Sequence, residues 1–235
     1  MVSVTRVDVG GVALSLRTWP AAGAATAAGP AAPPVLLLPG TGLTARDWDV
    51  VAPVLARSRD VHAVDLRGHG ESDRPGTYSI ALMASDVVGL LDRTDAPVVD
   101  LVGHSLGGLV ACRVVADRPH RVRRLVLEDV GLMRPRPVVA PVRPEGVLPF
   151  DWAVVEQVRP EIDDPDPGWA VVARGVPVPT LVVAGGAAST VPQDAIRDLV
   201  DTLPDGRAVT VEAGHLVHAT EPEAFLAEVL RFLDA

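Results

Sequence analysis

The 235 residues carry 21 basic and 30 acidic side chains, a formal charge of −9, and 48% apolar residues at a mean hydropathy of +0.28. A chain of this size and apolar content can bury one large core, and its acidic balance disfavours nucleic acid and anionic membranes as partners. All the basic residues are arginine, which excludes a lysine Schiff base, and Cys112 is the single cysteine, which excludes an internal disulfide.

The opening stretches VSVTRVDV (2–9) and VALSLRTW (12–19) flank Gly10-Gly11 and predict an antiparallel hairpin. The start has no apolar core of signal-peptide length, and no run reaches the ~18–20 residues of a membrane span, so a cytoplasmic, soluble protein is expected. Residues 21–34 are small and of low complexity and are expected to form a mobile surface loop. PVLLLPG (34–40) is continuously apolar, as a strand buried on both faces should be. Strands and helices then alternate: a helix over 48–58, a strand over 61–66, the turn RGHGESD, a helix over 80–94, a strand over 98–104, a helix over 105–118 and a strand over 122–129.

Residues 131–179 break this rhythm and hold 10 of the 22 prolines. Their one strong helical stretch, FDWAVVEQVR (150–159), is expected to be capped at or beside Asp151 and to stop before Pro160. Strand-helix-strand-helix order returns with PTLVVAGG (179–186), PQDAIRDLVDTL (192–203), AVTVEAG (208–214) and EPEAFLAEVLRFL (221–233). The alternation implies an α/β fold: a mostly parallel sheet of about eight strands with helices on both faces. Residues 1–130 and 179–235 then form the core. Residues 131–178 form a short lid near the carboxyl ends of the strands, where open α/β sheets bind ligands.

GHSLGG (103–108) lies where a predicted strand turns directly into a predicted helix. That is the setting of a nucleophile elbow. Gly103 and Gly107 remove side chains from a crowded turn, and the helix N-terminus places free N–H groups and partial positive charge beside Ser105. The Leu106 N–H then points to where an oxyanion would form. A serine hydroxyl needs a base. His215, after the last predicted strand, satisfies the chain order serine, acid, histidine, and His218 is the runner-up. His104 adjoins Ser105 and should point away from it, His69 reads as a structural or gate residue, and His62 and His120 read as surface. A second oxyanion donor is expected from the Thr41 N–H, with Gly40 and Gly42 letting that loop approach the substrate.

Taken in order, LLLPGTG, VDLRGHGESDRP, VGHSLGG, PTLVVAGG and EAGHLVHATEPEAF resemble α/β-hydrolase-fold enzymes of the esterase, epoxide hydrolase, haloperoxidase and enol-lactonase group, over nearly the whole chain. The resemblance implies Ser105 as nucleophile, His215 as base, Leu106 and Thr41 as oxyanion donors, and a structural turn at Asp65 and Arg67-Gly68-His69-Gly70. There are two departures. Pro39-Gly40 replaces the His-Gly of most members. The stretch Gly185-Gly186-Ala187-Ala188-Ser189 lacks the acid usually found after the penultimate strand.

The acid must then come from elsewhere. Some relatives, certain haloalkane dehalogenases among them, carry it at the preceding strand end, here Glu128-Asp129. Strand parity sends these two residues to opposite sides, with apolar neighbours on both, so periodicity does not choose. The family pattern favours Asp129, leaving Glu128 and Asp194 as alternatives.

Gly40, His104, Phe150, Trp152, Trp169 and His218 are expected around the substrate pocket, and Cys112 in the core. DDPDP (163–167) reads as a surface turn. No metal-ligand spacing or dinucleotide glycine pattern is present, and no cofactor is expected. The expected activity is hydrolysis of a small-molecule ester, lactone or thioester by a Ser-His-Asp triad. A lyase, perhydrolase or cyclase on the same fold, or a non-catalytic ligand-binding member, is the alternative.

Overall fold

Strands β1 (Ser3–Asp8) and β2 (Ala13–Trp19) pair antiparallel about Gly10-Gly11, whose N–H groups donate to the Asp8 carboxylate. The computed structural model describes residues 1–22 and 32–235, so the loop expected at 21–34 falls mostly outside the described residues. Strands β3 (Val35–Leu38), β4 (Val61–Val64), β5 (Val99–His104), β6 (Val122–Glu128), β7 (Thr180–Ala184) and β8 (Gly206–Thr210) complete an eight-stranded sheet. Its order is β1-β2-β4-β3-β5-β6-β7-β8, antiparallel as far as β4 and parallel beyond it. Every residue of β3, β5 and β7 is buried, which accounts for the unbroken apolar run of β3, while buried Asp100 of β5 is paired with Arg59 and Arg123.

Two apolar clusters lie on the two faces of the sheet. Helices α2 (Ile80–Leu91), α3 (Leu106–Asp117), α4 (Ala153–Asp163), α5 (Trp169–Arg174) and α6 (Gln193–Thr202) contribute to one. Helices α1 (Ala52–Leu55), α7 (Val217–Thr220) and α8 (Pro222–Leu233) contribute to the other, around Trp48 and Phe225. Strand parity sorts the side chains: Leu125 and Leu127 of β6 join the first cluster and Val126 the second.

Three local expectations are corrected. The helix expected over 48–58 splits into a 3-10 turn at Ala45–Asp49 and the single turn α1. Thr44 and Asp47 cap each other and start the turn early, and Pro53 has no N–H to carry one ladder across the gap. Helix α4 begins at Ala153 and continues through Pro160 to Asp163 instead of stopping before the proline. The missing donor removes one bond, while buried Val154 and Val158 and the pairing of Arg159 with Asp163 hold both ends. Helix α5 was not anticipated, because six residues are too few for a readable period. Before α4, residues 131–149 cross the surface as a strap with no helix or strand, and Val138, Val139, Val142 and Val147 are exposed along it.

Helix α3 rests on the strand ends through glycine. A Cβ at Gly107 would lie 2.3 Å from the Leu38 carbonyl oxygen, and one at Gly103 would lie 2.5 Å from the Gly107 carbonyl oxygen. In an unhindered helix interior Gly→Ala gains up to about 1 kcal/mol. Gly107→Ala is expected to lose about 2 kcal/mol instead, because backbone must move. The loss should appear as a lower urea midpoint at unchanged slope.

Candidate active site

Strand β5 ends at His104 and α3 starts at Leu106, so the corner between them is the single residue Ser105. Its φ is 50° and its ψ −117°, a conformation that persists in a non-glycine residue only where the surroundings enforce it. The Ser105 N–H donates to the Glu128 carbonyl at 3.1 Å, and its own carbonyl accepts from the N–H groups of Gly108 and Leu109. Both backbone groups are thus fixed, and the side chain is left partly exposed. The Leu106 N–H, at the first position of α3, has no acceptor within the helix.

Asp129 follows β6 directly and is the other non-glycine residue with positive φ among the described residues, at 49°. Its side chain is fully buried. One carboxylate oxygen accepts from His215 Nδ1 at 2.6 Å and from the Ser189 hydroxyl, and the other accepts from the Gly185 N–H at 2.8 Å. A carboxylate only accepts, so His215 Nδ1 carries a proton, and in the neutral ring the lone pair lies on Nε2. Ser105, Asp129 and His215 line one cavity of about 560 Å³. No hydrogen bond joins the Ser105 hydroxyl to His215 among the described contacts, and such bonds commonly tighten only around substrate.

The stretch after β7 therefore supplies donors to an acid on the neighbouring strand. The Gly185 N–H and the Ser189 hydroxyl were missed from the sequence. The available clue was a polar side chain one residue beyond the position where relatives carry their acid.

The other two candidate acids are engaged elsewhere. Glu128, fully buried, accepts from both the backbone N–H and Nδ1 of His218 at 2.8 Å. The His218 ring stacks on Trp48 at 4.3 Å, on the opposite face of the sheet from the α3 cluster. Asp194 accepts from Arg134 at 2.8 Å on the cavity rim.

His104, 1% exposed, donates from Nε2 to the His215 carbonyl at 2.9 Å. Its Nδ1 has no partner, and a Cβ at Gly40 would lie 2.6 Å from it. Burial pushes the His104 ring down to about 4, against the raising influence of Glu128 and with His215 and His218 lowering it further. The ring is neutral at pH 7.

The loop after β3 is braced from the outside. The Gly42 N–H donates to His69 Nε2 at 3.1 Å, and His69 Nδ1 donates to the Arg67 carbonyl. Burial holds the His69 ring below the usual imidazole range, which suits an accepting Nε2. Thr41, next in this loop, lines the cavity. Asp65 accepts from the N–H groups of Ala45 and Glu71 and organises the turn beside it.

The cavity walls are aliphatic, from Leu109, Leu132, Met133, Val155, Val158 and Ile162. Gly40, His104, Phe150, Trp152, Trp169 and His218, expected around the substrate, do not line it. Neighbouring side chains diverge at the corner, which turns His104 inward. His218 lies under Trp48, and Phe150 stacks on His69. Trp169 is buried in the core, and Trp152 faces a separate shallow groove. Cys112 is buried, and burial pushes its thiol up to about 12. Among the described residues no three His, Cys, Asp or Glu side chains gather where they could hold a metal ion, and no helix is long and apolar enough to cross a membrane.

The family model for the alpha/beta hydrolase fold matches residues 33–153. A Mycobacterium tuberculosis protein without an assigned function is 42% identical over 100 residues, which is 42% of this chain and 29% of that protein. This match therefore spans less than a third of that relative. RutD of Variovorax paradoxus, provisionally named a carbamate hydrolase, is 32% identical over 245 residues, covering 85% of this chain and 91% of its own. The solved structure of E-2-(acetamidomethylene)succinate hydrolase superposes over both whole chains with a TM-score of 0.84 at 23% identity, a likeness of fold.

The buried neutral histidine sets a pH dependence of stability. Above the ordinary imidazole value of 6.5 neither folded nor unfolded His104 binds a proton; below it the unfolded chain does and the folded one does not until about pH 4. Stability should therefore fall between pH 6.5 and 4, by up to about 3 kcal/mol from this residue, with His69 adding in the same direction. Urea denaturation at pH 7 and pH 4.5 should record the loss, and His104→Gln should shrink it.

Proposed function

Because the chain belongs to the α/β-hydrolase fold family, we propose that it is a cofactor-independent serine hydrolase cleaving a carboxylic ester, lactone or thioester of a small-molecule substrate. The observation that carries this reading is the 2.6 Å bond from His215 Nδ1 to buried Asp129, on the same cavity as Ser105.

Asp129 fixes the tautomer and orientation of His215 and balances the charge of the imidazolium. His215 Nε2 takes the Ser105 proton as Oγ attacks the substrate carbonyl carbon. The tetrahedral oxyanion forms against the N–H groups of Leu106 and Thr41, aided by the N-terminus of α3. Collapse expels the leaving group, which takes the proton back from His215. Water, deprotonated by the same nitrogen, then attacks the acyl-enzyme and releases the acid and Ser105. The donors from Gly185 and Ser189 keep the buried carboxylate aimed through this cycle. A carbamate or amide is the second reading, favoured by the name of RutD and its coverage of most of this chain. The same steps apply to it, with an amine leaving.

A fluorophosphonate probe should label the wild type and leave Ser105→Ala unlabelled; labelling of both would remove Ser105 from its role. On 4-nitrophenyl butyrate, Asp129→Asn should lower kcat by about ten-thousandfold, since it sets the wrong imidazole tautomer. Glu128→Gln should lower it by less than about tenfold, as expected of a group that does not touch the reacting atoms. The reverse order would refute the assignment of the acid.

A further inference from the structure

The cavity in front of Ser105 is aliphatic along its walls but also reaches arginine. Arg136 of the strap and Arg159 of α4 both line it, and both bind one carboxylate, Asp163, at the end of α4. Asp163 is fully buried, whereas the two arginine side chains are 43% and 38% exposed. Each arginine engages it through Nε, Arg136 at 2.5 Å and Arg159 at 2.7 and 2.8 Å. The Arg136 N–H also donates to the Asp163 carbonyl. The terminal Nη groups of both arginines enter no hydrogen bond among the described residues.

Two guanidiniums on one carboxylate leave an excess positive charge on this part of the lining. The third arginine of the lining, Arg134, is held between Asp194 and Asp198, so its cluster has the opposite excess. Glu156 borders Arg159 on the outer groove and not in the cavity. Arg136 pins the strap to α4 and Arg159 braces the helix past Pro160, and together they carry one positive charge more than Asp163 neutralises. Both stems are held by the buried carboxylate, which lowers the entropy lost when their free ends bind a ligand. A guanidinium fork matches a planar carboxylate.

On the hydrolase reading above, we propose that Arg136 and Arg159 form an anion subsite of the same cavity. The substrate then carries a carboxylate, separated from the scissile carbonyl by an apolar segment lying along Leu132, Val155, Val158 and Ile162. Specificity is for amphipathic acid esters rather than for neutral esters.

The test is calorimetric titration of Ser105→Ala protein with the monomethyl esters of succinate, adipate and suberate, each against its dimethyl counterpart. At one or more chain lengths the monoester should bind about tenfold tighter, as charge-assisted hydrogen bonds imply. The preference should vanish in Ser105→Ala/Arg159→Gln and return at least in part with Arg159→Lys. Arg136→Gln, which leaves α4 unaltered, should give the same loss and serves if the Arg159 variant does not fold. Equal binding of the pairs, no binding of any ester, or a preference that survives both glutamine substitutions overturns the subsite. Wild-type turnover of 4-nitrophenyl butyrate is read in parallel. Turnover without charge preference in binding removes the subsite and leaves the hydrolase. Charge-selective binding without turnover or probe labelling removes the hydrolase and leaves the subsite.

Discussion

The geometry of the site depends on the hydrogen bond between Asp129 and His215. Its two members come from opposite sides of β7: the carboxylate from the end of β6, the imidazole from the segment after β8. The stretch after β7 lies between them and supplies the Gly185 N–H and Ser189 hydroxyl that share the carboxylate. A fully buried carboxylate is costly unless several donors meet it, and here three do. The stretch after β7 carries no carboxylate of its own and instead supplies donors to the one at the end of β6.

Strand parity makes a second pair possible beside the first. Glu128 and Asp129 leave the end of β6 in opposite directions, and each meets an imidazole, His218 and His215 respectively. His104 connects the two arrangements. Its ring neighbours both histidines, and its Nε2 donates to the His215 carbonyl. The segment carrying His215 is therefore held at its side chain by Asp129 and at its backbone by His104. Gly40 fits against the far edge of the same ring, so the loop after β3 is shaped by the same buried neutral group.

Much of this fold is legible in the sequence because two periods dominate it. Fully apolar runs mark strands covered on both faces, and amphipathic runs between them mark helices. The Ser105 corner is legible for a different reason: glycines at 103 and 107 are tolerable only where backbones touch, and they touch Gly107 and Leu38. The acid was ambiguous because both sides of β6 are apolar, so parity separates Glu128 from Asp129 without saying which one meets His215. The cavity lining is not legible in the sequence, because aromatic residues stand out between 131 and 178 while the direction of their side chains does not. The lining came from ordinary aliphatics of the strap and α4, a wall that only tertiary placement reveals. Helix α4 shows the limit of proline as a stop sign: one lost donor does not outweigh buried valines and an ion pair.

The bond from the Ser105 N–H to the Glu128 carbonyl ties the kink after β5 to the kink after β6. Serine and aspartate thus ride on adjacent, laddered strands as one rigid block. The imidazole follows the turn after β8, whose Gly214 N–H donates to the Gly185 carbonyl at 2.8 Å, so its backbone is anchored to the end of β7. The end of the sheet from β5 to β8 is thus one continuous frame, and only side-chain torsions remain to turn the imidazole against it.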